Sequence, residues 1–274
     1  MKIDTKSSSF GNMIYISQND VTLGITTQYG MRISYISAFG SDNICYCDDV
    51  MANYKPLDDG NKWFNLGGHR LWKSPEDNSC YVDDNNPCEC HYDNRKLVVT
   101  NNHRSDSMVY SIRIEFTGHN TVKLTHTITN CSDSDVRLAL WAITALKSTG
   151  TVVLPLDTTT QGLLPNRNIV YWPYSNILDN RISMRLDGIA VKANKAKPLK
   201  IGTFTSAGYI AYENYDVIMK KSFKVEQGEY PDMQCNIECY TDENVMEIES
   251  VSPLYTLYPF EQKSYIEHWT FTRK

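Results

Sequence analysis

Apolar and polar residues alternate with a period of two along several stretches of this chain. From Met108 to Phe116 the even positions carry Met108, Tyr110, Ile112, Ile114 and Phe116, and Arg113 and Glu115 fall between them. Thr121–Thr129 repeats the pattern with Val122, Leu124 and Ile128, and Arg181–Asp187 repeats it with Ile182, Met184 and Leu186. Successive strand side chains point to opposite faces, so each stretch predicts a strand with one buried and one wet face, as in antiparallel sheets. Turn-forming clusters separate the stretches: Thr117-Gly-His-Asn120, Asn130-Cys-Ser-Asp133 and Asp187-Gly188. The segment 135–147 fits either a strand or a helix, since Val136, Leu138, Leu140 and Ala142 satisfy both periods. No strand alternates regularly with a long amphipathic helix, which argues against a doubly wound parallel sheet. The chain shows no internal repeat, low-complexity tract or linker. The expectation is one all-β domain over residues 1–274, a large antiparallel sandwich.

Composition narrows the function classes. With 274 residues, 41% of them hydrophobic and 22% charged, the chain can bury a core and does not match a disordered or fibrous composition. A net charge of −5 argues against nucleic acid or an anionic membrane as the main partner. No apolar run reaches the length of a membrane-spanning helix. The opening residues Met1–Ser9 lack the apolar segment of a secretory signal, so a cytoplasmic location is expected. Eighteen tyrosines and five tryptophans against eight phenylalanines favour rings with a polar handle. Such rings suit half-exposed strand positions and also sites for hydroxyl-bearing ligands such as sugars.

The eight cysteines are expected to be reduced. Cys88-Glu-Cys90-His91 offers zinc-type ligands but lacks a second pair at fixed spacing, so neither a metal nor a cofactor is expected. Cys235, Ile237 and Cys239 alternate on one strand face and read as core. His126 shares the apolar face of Val122 and Leu124 and reads as a hydrogen-bonded core histidine, and His91, His103, His119 and His268 join no constellation. Phosphate-loop, dinucleotide-loop, nucleophile-elbow, zinc-protease and EF-hand patterns do not occur.

Three segments concentrate polar and aromatic groups. In Asn65-Leu-Gly-Gly-His-Arg-Leu-Trp-Lys-Ser-Pro-Glu76, the paired glycines allow close backbone approach. His69, Arg70, Trp72 and Glu76 then supply an acid/base, a fork-shaped donor, a stacking ring and a carboxylate. Leu163–Tyr174, with Trp172, followed by Asp179 and Arg181, reads equally as a rigid binding wall or as a packed crossing loop without ligand contact. In Glu229–Thr241, strand alternation places Asn236, Glu238 and Tyr240 on one face, and Glu247 and Glu249 share a face of the next strand. Carboxylates clustered in this way and buried would have raised pKa values suited to proton transfer. Arg70, Arg167, Arg181 and Lys200 could meet a phosphate or carboxylate, although such residues are more often surface ion-pair partners.

The order of these motifs resembles the aldose 1-epimerase, or galactose mutarotase-like, superfamily. Within it the chain is similar to an uncharacterised family marked by Gly-Gly-His-Arg-Leu-Trp-x-x-Pro-Glu, here Gly67–Glu76. Val21–Ile33 with Asp42-Asn43 resembles the superfamily's first hairpin, and Thr127-Ile-Thr-Asn-Cys-Ser-Asp133 its common strand end. Leu140–Thr144, Leu164–Arg167, Trp172–Tyr174, Tyr230–Asp232 and Tyr240-Thr241 resemble the narrower family. The resemblance implies a β-supersandwich with a sugar-sized cleft, and aldose 1-epimerase-like chemistry on an aldose or sugar derivative. It implies Glu249 as the base and His69 as the acid, with Glu247 the nearest rival for the base. Arg70, Trp72, Glu76, Trp172, Asp179, Arg181, Asn236, Glu238 and Glu247 would line the cleft around a small-molecule carbohydrate. The superfamily's second histidine would follow the strand end, where this sequence has Leu140-Trp-Ala-Ile-Thr144. His69 or Arg70 would then take over its role, or the protein would bind sugar without catalysis. A third alternative is an accessory β-sandwich domain.

Overall fold

The computed structural model describes residues 1–102, 104–159, 162–194 and 197–274; His103 lies outside them. Two large antiparallel sheets carry the chain. The first runs in the order Lys2–Ser8, Gly11–Gln18, Val21–Thr26, Arg32–Ala38, Gly68–Ser74, Val136–Lys147, Val245–Val251, Ile237–Thr241, Leu199–Thr203 and Val170–Tyr171. The second runs from Ile182–Met184 through Gly188–Lys192, Thr151–Pro155, Tyr209–Glu213, Val217–Phe223 and Gln262–Arg273 to Thr121–Asn130, Met108–Phe116, Lys96–Asn101 and Glu89–Tyr92. The all-β antiparallel expectation holds.

Between the sheets lies one apolar core that includes Ile33, Leu71, Leu140, Leu124, Ile112, Ile248 and Trp269. The alternating segments behave as their pattern requires: Tyr110, Ile112, Ile114, Val122, Leu124 and Ile128 are buried. The ambiguous segment is the strand Val136–Lys147, and nearly all of it is buried on both faces. That double burial explains why its sequence lacks alternation. One face meets the inter-sheet core, and the other carries Ala139, Trp141 and Ile143 into a second, aromatic cluster with Trp63 and Trp72. Cys235 and Cys239 are buried, as read.

The Arg181–Asp187 expectation needs correction. Only Ile182–Met184 pairs, and it is the edge strand of its sheet. Met184 and Leu186 point outward at 53% and 77% exposure rather than into the core.

Candidate functional site

The sequence motif at Gly67–Glu76 is divided between two environments by strand alternation. In the strand Gly68–Ser74, Arg70 and Trp72 face outward, and His69 and Leu71 face the inter-sheet core. Register carries this division across the sheet. Arg70 pairs with Ile143, Trp72 with Trp141, Ile143 with Glu249, and Ala145 with Glu247. Glu249 in turn faces Glu238, Glu247 faces Tyr240, and Tyr240 faces Lys200 on the next strand. The outer face of five adjacent strands therefore carries arginine, tryptophan, lysine and glutamates in one patch.

This patch floors a cleft of about 620 Å³, within the size range of small-ligand sites. Its walls are Trp63, Trp72, Tyr81, Trp141, Trp172, Tyr174 and Tyr240, and Asn53, Asn65, Glu76 and Asp242 also line it. Trp63, Trp72 and Tyr81 meet edge to face with centroids 5.0–5.7 Å apart, and Trp72 meets Trp141 at 5.8 Å. The Arg70 guanidinium sits 4.5 Å from the Trp72 ring centre, and its Nη1 donates to Glu247 Oε1 at 3.0 Å. Lys200 Nζ lies between two rings, 4.5 Å from Trp141 and 4.6 Å from Trp172.

Electrostatics at the floor are set by burial. Lys200 Nζ is 2.7 Å from Glu238 Oε2 and 2.9 Å from Glu249 Oε2. Burial works against its charge, but the two carboxylates hold its proton well above the usual lysine range. Glu238 is pushed well above the carboxylate range by burial; the charges of Glu249 and Asp232 add to this and Lys200 opposes it. Burial raises Glu247 as well, with Arg70 opposing and Glu249 adding to the rise. Glu247 lines the cleft, whereas Glu249 is fully buried beneath Lys200 and Trp141, and Trp141 Nε1 donates to its Oε2 at 2.7 Å.

His69 lies elsewhere. Its imidazole belongs to a polar chain between the sheets, and its ring lies 4.7 Å from that of Trp269. His126 Nδ1 is 3.2 Å from the Tyr265 carbonyl, which can only accept, so that nitrogen carries a proton. Burial depresses both histidines, His126 to about 4 and His69 well below the usual value, so both are neutral. His126 Nε2 must then accept from His69 Nε2–H at 2.8 Å, and His69 Nδ1 accepts from the Thr144 hydroxyl at 2.9 Å. Lys221 Nζ donates to Thr144 Oγ1 at 3.0 Å and pairs with Glu267 Oε1 at 3.0 Å. Burial would raise Glu267, but Lys221, His126, Ser250 and Trp269 outweigh it and hold the carboxyl below its usual range. His69, His126 and Glu267 bring ligand-type atoms within 4.8 Å of one another. These atoms are already hydrogen-bonded to each other or ion-paired with an ammonium group, so the trio reads as a closed structural network.

The cleft therefore gathers Arg70, Trp72, Glu76, Trp172 and Glu247 from the sequence-predicted set, with Glu238 and Glu249 beneath its floor. Three expectations are corrected. His69 and Glu249 stand on opposite faces of one sheet and cannot confront the same sugar ring. Asp179 and Arg181 are spent on each other, with Arg181 Nε and Nη2 donating to Asp179 at 2.9 and 2.8 Å and Nη2 also reaching the Lys197 carbonyl. Asn236 bridges the backbone of Thr205 through both ends of its amide and is fully buried.

Sequence reasoning passed over Trp63, Tyr81, Trp141, Asp84 and the pairing of Lys200. Trp141 was hidden within an apolar run. Asp84 lies in the acidic turn Asp83-Asp84-Asn85-Asn86, which carries no sign of its partners Arg32, Trp63 and Trp72, respectively 52, 21 and 12 residues away.

No protein-family profile matches the chain, and no curated protein sequence matches it. Solved structures do. A galactose mutarotase-like protein from Lactobacillus casei superposes with a TM-score of 0.59 at 9% identity, covering 95% of this chain and all of its own. A galactose mutarotase-like protein from Clostridium acetobutylicum gives 0.56 at 11% identity, covering 100% of this chain and 99% of its own. A TPR-domain containing protein from Parabacteroides distasonis gives 0.64 at 13% identity over 95% of this chain, which spans about half (47%) of that protein's length. At these identities the likeness shows the fold: a galactose mutarotase-like β-sandwich.

Proposed function

We propose that this protein binds a carbohydrate in the aromatic cleft, and that recognition rather than histidine-assisted anomeric catalysis is its function. The observation that carries this reading is the division of the motif between the two sheet faces. Arg70 and Trp72 join an aromatic, partly polar cleft, whereas the imidazole that mutarotation would use is turned into the inter-sheet network. Aromatic faces pair with the C–H surfaces of a sugar ring, and the Arg70–Glu247 pair offers donor and acceptor to neighbouring hydroxyls. The fold of the solved neighbours supports a carbohydrate-related role. Within the narrower family marked by the Gly67–Glu76 motif, Arg70, Trp72 and Glu76 are then the ligand-facing positions, and His69 is a packing position. Isothermal titration with a panel of aldoses and disaccharides tests the reading. Saturable binding that Trp72→Ala weakens at least tenfold is expected, and a panel without binding contradicts it.

One observation favours a second reading, an aldose 1-epimerase-like activity without histidine. Glu247 faces the cleft with a pKa raised by burial, which makes it a stronger base than an ordinary carboxylate. In that reading Glu247 takes the proton of the anomeric hydroxyl as the bond from the anomeric carbon to the ring oxygen breaks, and the Lys200 ammonium gives that oxygen a proton. Exchange between sugar anomers followed by NMR decides between the two: acceleration abolished by Glu247→Gln supports catalysis, and an unaccelerated rate leaves binding alone.

A further inference from the structure

Four of the five tryptophans in this chain donate their indole N–H to buried carboxylates. Trp63 Nε1 and Trp72 Nε1 reach the two oxygens of Asp84 at 2.8 and 2.7 Å, Trp141 Nε1 reaches Glu249 at 2.7 Å, and Trp269 Nε1 reaches Glu267 at 2.8 Å. Trp172 makes no such bond among the described residues. Three of the four pairs stand at the cleft.

Asp84 also accepts from the guanidinium of Arg32, which is itself fully buried. Burial would raise Asp84, but Arg32, Arg70 and the two indole donors outweigh it and keep the carboxyl ionised. A buried ion pair adds little net stability compared with apolar residues of the same volume. What this carboxylate does supply is direction. Hydrogen bonds to an ionised acceptor are short and strong, and one carboxylate receiving two indoles fixes the mutual angle of both rings. Glu249 does the same for Trp141 and, through the same oxygen, anchors Lys200 at 2.9 Å. With their N–H groups spent behind the wall, and with Arg70 over Trp72 and Lys200 over Trp141, Trp63, Trp72 and Trp141 present only ring carbon where they line the cleft.

We propose that Asp84 and Glu249 are positioning residues that lock the tryptophan wall, so that the cleft takes a saccharide presenting a continuous C–H face. Hydroxyl readout then falls to Arg70, Glu247 and the indole N–H of Trp172. The assignment rests on the carbohydrate reading for its ligand. It moves Glu249 from proton acceptor to anchor, in keeping with its full burial beneath Lys200.

The test uses the full chain labelled with ¹⁵N, with the indole N–H resonances as reporters. Asp84→Asn shifts the Trp63 and Trp72 resonances and speeds their hydrogen exchange, and Glu249→Gln does so for Trp141; neither moves Trp269. For the panel saccharide that the wild type binds best, each variant lowers affinity about tenfold, the scale of one lost hydrogen bond to a charged group. If Asp84→Asn leaves Arg32 uncompensated and the chain does not fold, Asp84→Asn/Arg32→Met removes both charges and reports the same resonances. Unmoved indole resonances, or saccharide affinity unchanged in variants whose melting temperature alone falls, overturn the assignment. A wild type that binds nothing in the panel overturns the carbohydrate reading itself, and the indole shifts still report separately on the clamp.

Discussion

Replacing His69 separates the two roles that its motif allows. In the wild type, His69 must donate at Nε2 to His126 and accept at Nδ1 from Thr144, inside a core with no exposed surface at any of the three residues. His69→Ala removes an imidazole from a close-packed site, which costs about 2–5 kcal/mol for a large-to-small core change. It also orphans His126 Nε2 and leaves the Thr144 O–H without its acceptor, while Thr144 Oγ1 still accepts from Lys221; a buried group left unpaired costs about 1–3 kcal/mol. Because these contributions overlap, a total near 5 kcal/mol is the working figure, which at roughly 2–4 °C per kcal/mol for a chain of this size lowers the melting temperature by about 10–20 °C. Polarity supplies an internal control. A glutamine amide carries one donor end and one acceptor end and can restore the chain, whereas leucine offers neither. His69→Gln is therefore expected to retain more stability than His69→Leu. Calorimetry and urea unfolding measure the loss, and titration at a temperature where the variants stay folded measures saccharide affinity. The expected result is a large stability loss with affinity within twofold of wild type. Affinity or anomer exchange abolished at unchanged stability would refute this account of His69.

Acid sensitivity follows from the same network: His126 is held near 4 when folded, against about 6.5 when unfolded. The unfolded state therefore binds a proton that the native state refuses. His126 accordingly contributes stability above pH 6.5 that drains as pH falls towards 4, by about 3 kcal/mol in all. His126→Gln should flatten the urea-midpoint profile over that range, and an unchanged profile would contradict the depressed folded pKa of His126. Glu238 works in the opposite sense. Its raised folded pKa means that the native state keeps a proton the unfolded state loses above about 4.3, so stability falls as pH rises from there, by up to about 1.4 kcal/mol per unit. Glu238→Gln should remove that component, and identical pH slopes in variant and wild type would exclude it. Lys200→Met leaves Glu238 and Glu249 without their shared cation, a loss of about 3–5 kcal/mol. Chemical unfolding should show partial recovery on acidification or in Lys200→Met/Glu249→Gln. Among the cysteines, exposed Cys131 should react first with a thiol reagent, and buried Cys235 and Cys239 only on unfolding, as read by mass spectrometry.

Period-two alternation made the wet-faced strands legible, because one face of Met108–Phe116 and Thr121–Asn130 packs on the core and the other meets water. It could not decide Val136–Lys147, whose two faces are both covered, nor see that Ile182–Met184 is an edge on which Ile182 packs only partly against the core and Ser183 and Met184 are exposed. At the site, neighbouring residues in a strand belong to opposite faces, so the compact motif His69-Arg70-Leu71-Trp72 mixes two environments. Alternation alone separates His69 from Arg70 but does not say which of them meets the core; that depends on the Thr144 and Ile143 register of the neighbouring strand. The same rule put Glu247 and Glu249 on one face of their strand and Glu238 on a face of the next, and in the register Glu238 faces Glu249 and Tyr240 faces Glu247. The burial of Glu249 beneath Lys200, and the clamp of Asp84 on two tryptophans, arise from contacts between distant segments that no local pattern encodes.

Whether a sugar occupies the aromatic cleft is read out by ¹⁹F NMR of the protein labelled with 5-fluorotryptophan and titrated with a saccharide panel. Four of the five resonances report on the cleft, and Trp269, beside His69 between the sheets, reports on the alternative location. Saturable movement of the Trp63, Trp72, Trp141 and Trp172 signals with Trp269 unmoved is the predicted result. Movement confined to Trp269, or five signals that stay still at every saccharide concentration, would contradict a sugar site in the aromatic cleft.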